Sequence, residues 1–133
     1  MKQGKITMAY NTIMDLYRIK GLPYDMYLDL LGKKRELQIY VDCQAEQEER
    51  IAVEISGGMA ANGTFPMDKD QQGEFFRKLA DIRDTDVKYE AEPLEISGTE
   101  AFLVNTLGVT GEVMDILDGI ITFVRIKEEG GGE

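Results

Sequence analysis

Between Pro23 and Ile55, residues Leu30, Lys34, Leu37, Val41, Gln44, Glu48, Ile51 and Ile55 follow one another at alternating steps of four and three. This seven-residue period predicts one long α-helix whose stripe is apolar at both ends and polar in the middle. A helix over 23–55 extends about 50 Å at 1.5 Å per residue. A compact chain of 133 residues has a radius of gyration near 14 Å, hence a diameter of only about 36 Å. The helix must therefore project, bend, or lie along another chain. Gly32 is its weak point, costing about 1 kcal/mol relative to Ala in a helix interior. Val41, Gln44, Glu48, Ile51 and Ile55 become candidate self-association residues, and a homodimer is the expected state. In such a seam Gln44 and Glu48 would lower stability but fix register.

The rest of the chain reads as shorter elements. Ala9, Ile13, Leu16 and Tyr17 predict a helix over Thr7–Lys20, stopped by Gly21, with Pro23 opening the long helix. Ser56-Gly57-Gly58 ends that helix, Asn62-Gly63 marks a turn, and Thr64–Met67 is a candidate edge strand. Asp68, with Gln71 three residues later, predicts a capped third helix to Arg83 that buries Phe75, Phe76, Leu79 and Ile82. Val87, Tyr89 and Ala91 alternate with Lys88, Glu90 and Glu92 as in a half-buried strand, and Leu94 and Ile96 resume the pattern after Pro93. Thr99–Leu107 and Thr110–Asp118 are short helix candidates, and Ile120–Ile126 is a strand expected to pair with 87–96. The expected fold is α+β in a single domain over 1–133. It comprises a helical hairpin over 5–55, a small antiparallel sheet with short helices over 64–126, and a frayed acidic tail over 127–133.

Composition narrows the chemistry. Histidine is absent and cysteine occurs once, as Cys43. The usual zinc sites, Ser–His and Cys–His pairs, and the commonest general base are therefore missing. Asp68 to Gly73 begins like a calcium-binding loop, but Leu79 stands where a bidentate Glu is needed, so a capped helix start is expected. Neither Gly57-Gly58 nor Gly108-Val109-Thr110-Gly111 has the lysine or the context of a phosphate loop. Cys43 has no neighbouring base to activate it and reads as structural. Lys33-Lys34-Arg35 is the single basic patch, and with Glu36 and Asp29 beside it a solvated helix face is expected. No catalytic, cofactor or metal site emerges, and the chain is not expected to be an enzyme.

Charge does carry information. Acids outnumber bases 25 to 15, a net charge of −10. Residues 1–67 hold 9 acids against 8 bases, whereas residues 68–133 hold 16 against 7. Direct nucleic-acid binding is not expected, because no basic stripe offsets phosphate repulsion. Asp81, Asp84 and Asp86 cluster at the end of the third helix, and Glu90, Glu92 and Glu95 occupy outward positions of the following alternation. These six are the candidate partner-binding residues, suited to a basic surface such as a nucleic-acid channel. The longest apolar run, near Ile120–Val124, is too short to span a bilayer, and no signal-peptide pattern or myristoylation glycine is present. A cytoplasmic protein is expected.

The order of motifs resembles a family of small phage and prophage proteins without an assigned activity. The resemblance is carried by Lys5-Ile6-Thr7, Leu22-Pro23, Lys33-Lys34-Arg35-Glu36-Leu37 and Glu46-Gln47-Glu48-Glu49-Arg50. Asn62-Gly63, Glu74-Phe75-Phe76-Arg77-Lys78-Leu79 and Glu92-Pro93-Leu94 extend it, so that it spans roughly residues 5–123. The long helix departs from the family in its apolar ending, Ile51-Ala52-Val53-Glu54-Ile55. The resemblance implies a phage or mobile-element origin. Two functions follow as expectations: modulation of a host protein, such as a basic defence enzyme that binds nucleic acid, or an accessory or assembly role in the phage particle.

Overall fold

The computed structural model describes residues 1–127. Helix α1 runs Gln3–Tyr17, α2 Tyr24–Ser56 and α3 Lys69–Arg83. Strand β1 (Leu94–Gly98), a π-helical turn (Phe102–Thr106), α4 (Gly111–Ile116) and β2 (Ile121–Arg125) complete the order. The mixed α+β class expected from sequence is present. The expected tail beyond Lys127 lies outside the described residues.

The sheet corrects the sequence reading. β1 and β2 pair parallel, with Leu94 opposite Ile121 and Gly98 opposite Arg125, so the expected antiparallel sheet does not form. The cause lies in the connection. Residues 99–120 hold two helical segments, enough chain to return to the starting end of β1 before β2 begins. Gly98 permits the first of these segments to approach, since a Cβ there would lie 2.8 Å from the Phe102 ring.

The chain divides into two compact units: Met1–Thr7 with Gln38–Lys88, and Met8–Leu37 with the described residues from Tyr89 onward. In the first unit the N-terminus pairs with the segment after α3. The Gln3 amide donates to Thr85 O (2.9 Å), the Val87 amide donates to Met1 O (2.8 Å), and Lys2 and Asp86 form an antiparallel bridge. α3 starts at the capping box expected from its sequence: Asp68 accepts from the Gln71 amide while the Gln71 side chain accepts from the Asp68 amide. Leu79 is buried and Phe75 and Ile82 are half-buried, but Phe76 is 64% exposed. Adjacent helical residues point about 100° apart, so one face cannot take both phenylalanines. The expected strand at Thr64–Met67 is absent because Asn62 accepts from both the amide and the hydroxyl of Thr64 and holds a turn.

The second unit carries the sheet and most of the apolar interior. Ile13, Leu30, Leu37, Leu117 and Ile120 are fully buried, and Ile96 and Ile121 nearly so. α1 ends at Tyr17, earlier than expected, and Gly21 adopts φ +83° in the turn that follows. Lys34 lies over Tyr10 and Tyr17 at 5.9 and 5.5 Å from their ring centres, and Tyr17 meets Tyr27 at 6.0 Å. The alternating segment 87–92, which links the two units in sequence, shows the expected alternation of burial but forms no ladder. Some of its backbone groups go elsewhere, Lys88 O to Tyr40 in the first unit and Glu92 O to Lys33 in the second.

Candidate functional site

All six candidate partner-binding acids are exposed, and they belong to different units. In the first unit Asp84 and Asp86 are brought together around Lys2, whose ammonium lies 3.5 Å from each carboxylate. These are surface pairs, with the carboxylate side chains 82% and 75% exposed, so they hold little energy and leave the face acidic. Asp81 is exposed one helical turn earlier, at the end of α3. In the second unit Glu90 and Glu92 precede β1, and Glu95 points from β1 to solvent while Ile96 beside it is buried.

The expected self-association residues all lie in the first unit. Gln44 is buried and engaged within the chain. Its side-chain oxygen accepts from Gln3 Nε2 (3.2 Å) and from the Thr7 hydroxyl, while its own amide donates to Glu48 (3.2 Å). Gln3 also donates to Tyr40 O (3.0 Å). The polar middle of the seven-residue stripe is thus matched by polar residues of α1. Val41, Ile51 and Ile55 are half-buried, and Ile55 O accepts from the Gln71 side chain of α3 at 2.8 Å.

The basic patch on α2 differs from its expectation. Lys33 is buried, with a side chain only 5% exposed, rather than solvated. Its ammonium donates to Glu36 Oε2 (2.7 Å), Tyr89 Oη (3.0 Å) and Glu92 O (2.9 Å), matching its three protons with three acceptors. Tyr89 in turn donates to the same Glu36 oxygen at 2.6 Å, closing the network. Lys33 stands three residues after Leu30 and four before Leu37, a spacing that places it on the buried stripe. Periodicity weighed against local charge would have found it. Beside this network lies an open cleft of about 260 Å³, lined by Leu28, Leu94, Gly32 and Lys33 together with the acidic residues Asp29, Glu36 and Glu92. With every Lys33 donor engaged, its ammonium is a tether for the 89–92 segment rather than a free reactive amine.

Cys43, read as structural, is exposed. Among the described residues no group of three or more Asp, Glu, His or Cys is arranged to hold a metal ion. Nor is any helix among them long and apolar enough to cross a membrane. No protein-family model, curated protein or solved structure matches the chain.

Proposed function

We propose that the protein acts by binding rather than by catalysis, presenting acidic surface to a basic region of a protein partner. The exposure of all six carboxylates, from Asp81 to Glu95, supports this reading above all other observations. Solvated carboxylates of this kind steer association and select for opposite charge more than they add affinity. A host protein that binds nucleic acid is the partner class with the complementary charge, in keeping with the phage or prophage origin implied by the motif resemblance.

The test has two arms. The chain is first used to capture a partner from bacterial host lysate, and association of the purified pair is followed at increasing salt. Reversing Asp81, Asp84 and Asp86 to Lys should slow association about tenfold and flatten its salt dependence while the fold is retained. Unchanged kinetics in that variant, and in the matching Glu90, Glu92 and Glu95 reversal, would reject the acidic reading. Duplex DNA itself should show no salt-sensitive micromolar binding.

A further inference from the structure

Among the described residues the parallel sheet has two strands, and the phase of its ladder shows which backbone groups face away from it. The Leu94 amide donates to Ile120 O and the Ile126 amide donates to Gly98 O, each at 2.9 Å. Leu94, Ile96 and Gly98 therefore face β2, and the N–H and C=O groups of Glu95 and Ser97 point outward from β1. Among the described residues those outward groups have no hydrogen-bond partner. Buried backbone groups are almost always paired, so an unpaired row like this one marks an edge open to water. β1 has no proline, bulge or lysine within Leu94–Gly98 to block pairing.

We propose that the outer edge of β1 accepts an extended basic segment of a partner protein as a third strand. The inference rests on the acidic reading above and specifies how the partner is held at β1. Charge decides between the two edges. β2 ends in Arg125 and is followed by Lys127, whereas β1 carries Glu95 and is preceded by Glu92. Glu92 also lines the open cleft with Asp29 and Glu36, beside Leu94 of β1, which extends the acidic surroundings of this edge. An added strand with Lys or Arg at alternate positions sets them across from Glu95, while its intervening apolar residues fall on the face of buried Ile96. Main-chain hydrogen bonds then supply affinity and the charges supply selection, as in strand addition generally.

The probe is a short peptide alternating lysine and valine, added to the full chain. Three controls accompany it: glutamate in place of lysine, N-methylation at the valines, and N-methylation at the lysines. The lysine peptide should slow exchange of the Glu95 and Ser97 amides about tenfold, with one N-methylated form binding about tenfold more weakly. Ser97→Pro removes one outward donor without removing a ladder bond and should weaken binding similarly. If both N-methylated forms bind as well as the parent, strand addition is overturned while the acidic reading survives. Protection at Phe123 and Arg125 instead of Glu95 and Ser97 overturns the choice of edge. A lysine peptide that binds no better than its glutamate counterpart overturns both.

Discussion

Of the fifteen buried apolar side chains among the described residues, only Ile6, Ala52 and Leu79 belong to the first unit, and the other twelve belong to the second. The first unit instead buries Gln3 and Gln44 and joins its N-terminus to the segment after α3 through main-chain bonds. Among its described residues the second buries a single charged group, Lys33, with each of its protons matched. The two regions thus depend on different forces. The apolar unit gains mainly from removing surface from water, which is large and non-directional. The polar unit gains little net energy from each hydrogen bond, but it is penalised whenever a bond is left unmade. Its arrangement is specific without being strongly stabilised.

The largest effect should come from the apolar unit. Leu117 is fully buried, and Leu117→Ala should cost about 3 kcal/mol from lost transfer energy and the remaining cavity. Leu79→Ala in the polar unit, where the side chain is already 8% exposed, should cost less. Thermal or urea unfolding of both variants checks the ranking. Equal losses would break the comparison.

The polar centres come next. Gln44→Leu leaves Gln3 with its bond to Tyr40 O and Thr7 with its bond to Gln3 O, so the loss should be about 1–2 kcal/mol. Lys33→Met deprives Glu36 of a cation, but that carboxylate is 38% exposed and keeps Tyr89, which limits the loss to about 2 kcal/mol. A Gln44→Leu variant more stable than the parent would show that the polar centre of the first unit contributes only specificity.

Much of this was legible in the sequence, and two of the misses, the strand direction and Lys33, share a cause. No residue of the seven-residue frame from Leu30 to Ile55 is fully exposed, so the period located α2 and its inner face. The Asp68–Gln71 capping box was equally plain, because both of its partners are local. The pairing of β2 was not, since strand direction depends on the path of residues 99–120 rather than on the pattern of either strand. Lys33 was missed for a similar reason. Two of its three acceptors, Tyr89 Oη and Glu92 O, lie far away in sequence, and only folding makes the buried ammonium visible. The acidic residues were placed correctly as exposed, but their division between two units has no mark in the sequence.

Gly32 offers a smaller effect of opposite sign. It sits inside α2 without interrupting the helix, and a Cβ added there meets nothing within 4 Å. Gly32→Ala should therefore stabilise the protein by about 0.5–1 kcal/mol through helix propensity. The methyl group would also enter the lining of the open cleft. A destabilised variant in thermal unfolding would show that the second unit needs the space left by this glycine.

The smallest effect belongs to the acidic surface of the first unit. Asp84 and Asp86 share Lys2 at 3.5 Å, but Lys2 also donates to Asp84 O at 2.9 Å, a bond that survives loss of either carboxylate charge. Both carboxylates are largely exposed, so the ion pairs are screened by water and salt. Asp84→Asn with Asp86→Asn should shift stability by no more than about 0.5 kcal/mol. The Lys2–Asp86 bridge should persist, because its bonds are made by main-chain atoms of neighbouring residues. Stability measured at low and high salt separates the alternatives. A loss confined to low salt would mean that Lys2 holds this corner by charge, whereas a salt-independent loss would mean that the carboxylates support the main-chain pairing itself. Near-neutrality in both conditions leaves these acids free to serve association, where the same substitutions should act on rate.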